Sequence, residues 1–143
     1  MKIIFFGNTE FSNPTLKKCN TSLDVVSVVT NPSKKMGRGR LFSDTPVKIL
    51  ADKLRINVIQ VENLENKDFI QKLKDLKPDL FVVVAYKILP KLLLSIPTIG
   101  AINLHSSLLP KYRGAAPIQR SILNHDKITG LSTFLIEPKV DTG

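Results

Sequence analysis

The stretch from Asp79 to Ala85, DLFVVVA, constrains the fold more than any other part of the chain. A strand with one wet face alternates apolar and polar residues, whereas this run is apolar at nearly every position, as a strand covered on both faces must be. A central parallel strand is predicted. KIIFF at residues 2 to 6 and DVVSVVT at 24 to 30 are further β-prone runs, and NVIQV at 57 to 61 is a shorter one. Helical patterns separate them. One runs through Cys19, and a second starts at Pro46 and continues through Leu54 with Val47, Leu50 and Leu54 on one face. A third spans Asn66 to Leu76, carries Phe69, Ile70, Leu73 and Leu76 at helical spacing, and is stopped by Pro78. Strands alternating with helices predict an α/β, Rossmann-like, mostly parallel sheet with helices on both faces, joined by right-handed crossovers.

A dinucleotide site would need G-x-G-x-x-G after the first strand, and only Gly7 is present. An NAD or FAD site is therefore discounted. With 143 residues, 43% of them hydrophobic, the chain suffices for one domain with a real core. No apolar run approaches the roughly 20 residues that span a bilayer, and MKIIFFGN moves straight into a strand. A soluble, cytoplasmic, monomeric protein with no membrane partner is expected. The single cysteine, Cys19, reads as an ordinary buried or half-buried thiol.

Charge is more informative. Lys plus Arg number 21 against 12 Asp plus Glu, a net charge of +9, which makes a polyanionic partner such as RNA plausible. Most lysines are dispersed on helical faces, and only Lys34, Lys35, Arg38 and Arg40 form a cluster. They lie in SKKMGRGRLFSDT, which lacks periodicity and is expected to be a mobile loop. Arg38, between Gly37 and Gly39, has a backbone free to shape itself around a ligand.

The chemistry concentrates between Ile99 and Ser121, IGAINLHSSLLPKYRGAAPIQRS. If the first residues form a fifth strand, Asn103 and His105 point to one face. An amide donates a hydrogen bond to a developing oxyanion, and an imidazole donates or moves a proton. Read alone, such a pair more often caps backbone groups at a strand end. A helix from about Ala115 to Leu123 is expected to bury Ile118 and Ile122, and Leu131 to Glu137 is expected to form a sixth strand. His125 reads as a solvated side chain. The chain then stops in the turn Pro138 to Gly143, where a sheet edge would still need cover, so residues 1 to 143 are expected to be incomplete at the C-terminal end.

Through INLHSSLLPKYRGAAPIQRS, and through PVKILA at 46 to 51, VVVAY at 82 to 86, ILPK at 88 to 91 and the Gly-Arg-Gly element, the sequence closely resembles the folate-dependent formyltransferases. The resemblance is strongest to the branch that acts on an aminoacyl-tRNA, since the RGAAPIQRS word is specific. It implies the formyltransferase fold, with an N-terminal catalytic domain over residues 1 to 143 and a smaller β-barrel domain that these residues do not contain. The implied reaction moves a formyl group from 10-formyltetrahydrofolate to the α-amine of methionine on initiator tRNA, for translation initiation. Alternatives within and outside that chemistry are a formyl transferase acting on a sugar amine or purine precursor, and a noncatalytic folate- or RNA-binding fragment.

The resemblance assigns Asn103 and His105 as oxyanion donors, with Asp141 of the DTG turn as proton carrier, directly or through a water. Both His105 and Asp141 are expected at strand ends of one parallel-rich sheet. Ser107, Leu108, Leu109 and Pro110 are carried over as a wall of the folate site. Arg38 is carried over as a contact to the tRNA acceptor end, with Lys34, Lys35 and Arg40 beside phosphates. Arg113 faces either phosphate or a local carboxylate, and Phe11 lies either near the aminoacyl end or buried in the first helix. Lys87 stands where family members often have Gly, and Ser106 where Gly is frequent. No metal is required, because His105 and His125 are the only histidines and no cluster has ligand spacing.

Overall fold

The structure, a computed structural model, describes residues 1–36 and 41–137. Arg38, Arg40 and Asp141 therefore lie outside the described residues. Eight strands and five α-helices follow in order: β1 (Lys2–Gly7), α1 (Asn13–Ser22), β2 (Asp24–Thr30), β3 (Lys34–Met36), β4 (Leu41–Ser43), α2 (Pro46–Lys53), β5 (Val58–Gln60), α3 (Lys67–Asp75), β6 (Leu80–Val84), α4 (Lys91–Leu94), β7 (Gly100–His105), α5 (Pro117–Leu123) and β8 (Ser132–Leu135). A 3-10 turn, Glu10–Ser12, precedes α1. Two caps follow residue type. Thr45 Oγ1 accepts from Lys48 N in front of α2, and Asn66 Oδ1 accepts from Phe69 N in front of α3.

Six strands form one sheet in the order β5-β2-β1-β6-β7-β8. All neighbours are parallel except β7 and β8. The order reverses between β1 and β6, so the crevice outside their carboxyl ends is the topological switch point where open α/β sheets take ligands. Both central strands are buried along almost their whole length. Their side chains alternate between two cores. Ile4, Phe6, Phe81 and Val83 pack with Phe69, Ile70 and Leu73 of α3 and Leu93 of α4. Ile3, Phe5, Leu80, Val82 and Val84 pack on the other face with Leu16 of α1 and Val47, Leu50 and Ala51 of α2. Each such buried large side chain contributes roughly 1.5–3 kcal/mol.

Three expectations need correction. The segment read as a mobile loop contributes two strands, β3 and β4, paired antiparallel with Lys34 opposite Ser43 and Met36 opposite Leu41. Ser33 Oγ donates to Asp44 Oδ1 at the open end, and Gln60 Nε2 to Ser33 Oγ at 3.2 Å. Second, α5 starts at Pro117 and does not bury Ile118 or Ile122, which are 41% and 67% exposed. Its buried residue is Ser121. Third, β8 is shorter than Leu131 to Glu137, and its antiparallel direction carries its carboxyl end to Ile102, away from His105.

Cys19 is half-buried, and burial pushes its thiol above the ordinary range. His125 is exposed. No described helix is long and apolar enough to cross a membrane.

Candidate active site

A cleft of about 480 Å³ opens at the switch point. Its first wall is the chain leaving β6. Ala85 takes a left-handed backbone, φ 48°, which turns Tyr86 to Leu89 across the mouth. Tyr86 sets its ring edge against Phe6, centroids 5.5 Å apart, and its hydroxyl is buried without a hydrogen-bond partner among the described residues. Burial pushes this phenol up to about 12. Lys87 lines the cleft, but its Nζ donates to the Glu62 carbonyl at 2.7 Å, which ties the ammonium to the loop before α3.

The second wall is β7. Asn103 lies opposite Val83 on one side and Phe134 on the other, which brings its amide to the sheet end beside the first wall. As the alternation of a strand predicts, Asn103 and His105 both face the cleft. His105 is 7% exposed, and its Nε2 lies 2.9 Å from the Tyr112 carbonyl oxygen. A carbonyl only accepts, so Nε2 carries the hydrogen. The far side is made of Gly114, Ala115, Ala116 and Pro117, small residues that leave the volume open, together with Phe134, Ile136 and Glu137. Glu137 is the one carboxylate lining the cleft among the described residues.

The turn Ser107–Pro110, expected as a wall of the folate site, follows directly on the cleft-lining end of β7. Ser106 lines the cleft, and none of Ser107, Leu108, Leu109 or Pro110 does. Ser107 is fully buried, with its Oγ donating to the Lys111 carbonyl at 2.5 Å. Ser132 Oγ donates to the Ser107 carbonyl at 2.8 Å and accepts from Leu109 N at 3.1 Å. The turn is therefore stitched to β8, and through it fixes the exit of β7.

Phe11 lines the cleft and packs partly against the α1 and α2 core. Lys34 is exposed on β3, and Lys35 belongs to the same strand. Arg113 is exposed, and its carbonyl accepts from Arg120 Nη1 at 3.0 Å. Among the described residues no group of three or more His, Cys, Asp or Glu stands close enough to hold a metal ion. Tyr86, Leu94, Phe134 and Glu137 line the cleft without having been signalled as site residues. The signal for Tyr86 was available in its position just past the central strand.

An apolar cleft with an amide and an imidazole at one end suits transfer of an acyl-type group. Comparison with known proteins points the same way. The chain is 49% identical over its whole length to a methionyl-tRNA formyltransferase of Caldanaerobacter subterraneus and 45% identical to one of Halothermothrix orenii, covering 47% and 46% of those proteins. It thus spans about half the length of the curated relatives it matches. Among solved structures, a phosphoribosylglycinamide formyltransferase from Streptococcus pneumoniae superposes with a TM-score of 0.79 at 23% identity, over 99% of this chain and 77% of that one. A formyltetrahydrofolate deformylase from Pseudomonas syringae gives 0.73 at 19%, over 99% and 48%. These likenesses show a shared fold. Residues 1–143, the entire chain, match the formyl transferase family, and the chain belongs to it.

Proposed function

We propose that this chain is the amino-terminal catalytic region of a methionyl-tRNA formyltransferase, taking a formyl group from 10-formyltetrahydrofolate to the α-amine of methionine on initiator tRNA. The observation that carries the reading is the convergence of Asn103 and His105 on an apolar cleft at the switch point. The cleft volume lies in the range that holds a drug-sized ligand, and its small-residue wall leaves room for a flat ring system. Identity near half to the tRNA enzymes, against about a fifth to the glycinamide ones, favours the aminoacyl-tRNA substrate over a small amine.

In this reaction the amine nitrogen attacks the formyl carbon, the carbonyl oxygen takes the charge, and the bond to the folate nitrogen breaks. The amine loses a proton and the departing nitrogen gains one. Asn103 supplies a side-chain N–H donor to the developing oxyanion, and His105, whose Nε2–H is held by the Tyr112 carbonyl, donates there through its other ring nitrogen in the protonated ring. Asp141 is retained in this proposal as the proton carrier. Ser107 to Pro110 act from behind the cleft, bracing the strand end that presents the pair. Phe11 borders the aminoacyl end. Lys34, Lys35, Arg38, Arg40 and Arg113 meet the phosphates of the tRNA, which makes its use salt-dependent.

The test is formylation of charged initiator tRNA by the wild-type chain and by Asn103→Ala and His105→Ala. Both variants should lose turnover far more than tRNA binding. Wild-type rates in both would refute the assignment of the site, and formylation of small amines in place of charged tRNA would move the chain to the small-amine branch. Binding of tRNA with no transfer by the wild-type chain would favour the noncatalytic reading.

A further inference from the structure

Tyr112 is the second residue of the loop that carries the chain from the Ser107–Pro110 turn toward α5, and it sits in an unusual state. Its backbone is left-handed, φ 57°, a conformation that a non-glycine residue keeps only where its surroundings hold it there. Three contacts do so. The Tyr112 hydroxyl donates to Asp126 Oδ2 at 2.7 Å and accepts from Asn124 Nδ2 at 3.0 Å. The Arg120 guanidinium lies over the ring, 5.2 Å from its centroid. The turn that holds the hydroxyl is itself pinned to α5, since Asp126 N donates to the Ser121 carbonyl at 3.0 Å and Asn124 N to that of Arg120 at 3.0 Å. The product of this brace is the direction of one main-chain carbonyl, 2.9 Å from His105 Nε2.

We propose that Tyr112 is a positioning residue for His105: braced from Asn124 and Asp126 by its hydroxyl, it holds its main-chain carbonyl against Nε2 and so fixes the ring's orientation and its tautomer. With the hydrogen on Nε2, the ring cannot turn over without giving up the Tyr112 contact. The chemistry thus reaches the cleft from the far end of α5, through a tyrosine that does not line it. The importance of this for transfer rests on the formyl-transfer reading above, whereas the positioning itself does not.

The experiment reads the ring directly in the 143-residue chain. His105 and His125 are its only histidines, so the exposed His125 is replaced, His125→Gln, to leave one imidazole. Solvent exchange of the Nε2 proton is then followed by ¹H–¹⁵N NMR at a pH where the ring is neutral. The parent should give a slowly exchanging Nε2 proton. Tyr112→Phe, which keeps the ring and removes the hydroxyl, should speed that exchange at least tenfold. Asp126→Ala should do likewise, and Asp126→Asn, which keeps an acceptor for the hydroxyl, should restore most of the protection. Exchange within twofold of the parent in Tyr112→Phe would overturn the proposal, as would equal effects of the Ala and Asn replacements. If Tyr112→Phe fails to fold, Asn124→Ala, a change at an exposed residue, reads the same brace: faster exchange in a chain of parental melting temperature supports it, and unchanged exchange refutes it. Absence of formyl transfer by the chain would count against the functional reading and leave this result standing.

Discussion

The end of β1 is packed so closely that one methyl group should cost the protein a substantial part of its stability. A Cβ added at Gly7 would come within 2.9 Å of Ser12 Cβ, Ser12 Oγ and Phe5 Cε1. None of these can withdraw freely. Ser12 and Phe5 are fully buried, and Ser12 Oγ donates to the Val84 carbonyl at 2.7 Å, tying the turn after β1 to the end of β6. Gly7→Ala must therefore push Ser12 off that carbonyl or distort the strand. Overpacking costs about 1–3 kcal/mol, and breaking a buried hydrogen bond about 1 more, so a loss of about 2–4 kcal/mol is expected. Against the roughly 5–15 kcal/mol typical of a domain this is large, and it corresponds to a fall in melting temperature on the order of 10 °C. Urea unfolding followed by circular dichroism measures it. In a Ser12→Gly background two of the three obstructing atoms are gone, and the same substitution should cost about 1 kcal/mol less or better. A Gly7→Ala chain within about 0.5 kcal/mol of the parent, or an equal cost in both backgrounds, would refute the packing argument.

The remaining predictions concern the cleft and its neighbours. Asn103→Ala should lower the rate of formyl transfer about a hundredfold to a thousandfold, the usual cost of one oxyanion donor, with little change in the melting curve. Tyr86 and Tyr112 are the only tyrosines, so ultraviolet titration should resolve a late phenol step near 12 that Tyr86→Phe deletes. Because the folded value lies above the ordinary 10.0, the contribution of Tyr86 to stability is complete below about pH 10 and is lost as pH rises from there to about 12. The urea midpoint of the parent should fall relative to that of Tyr86→Phe over that window. Cys19, raised by burial, should alkylate at pH 8 at least ~3-fold more slowly in the folded chain than in urea. Ile122 and Leu123 are 67% and 75% exposed, so this face should bind a hydrophobic dye, and Ile122→Lys should reduce the fluorescence measurably.

What could be read from the residues depended on whether the information was local. DLFVVVA declares burial on both faces by its composition alone, and β6 is indeed a central strand. The N-x-H spacing declares a shared face because alternation is a property of any strand, and both side chains meet the cleft. The helix at α5 marks where such reading stops. Ile118 and Ile122 at helical spacing announce an apolar stripe, but a stripe says nothing about what lies against it, and here Ser121 turns inward. Strand direction is likewise absent from composition. The apolar and polar pattern of β8 is the same whichever way it runs, and its antiparallel pairing with β7 emerges only from the sheet.

The loop between β7 and α5 gives the sharpest case. SLLP is a distinctive word, and distinctiveness suggested that its atoms face a ligand. The word does not announce its partner in the fold, Ser132, 25 positions beyond Ser107, whose hydroxyl ties the Ser107 carbonyl and Leu109 N to β8. Conversely, nothing in KYRG marks Tyr112 as a partner of His105, because the contact is made by a main-chain carbonyl that every residue possesses. Its selectivity lies in the left-handed backbone and in the distant Asn124 and Asp126 that hold it. Side-chain chemistry thus identifies which residues can act on a formyl group. The orientation of His105 is supplied by backbone geometry, and that geometry is set across α5 by groups whose own chemistry the reaction never uses.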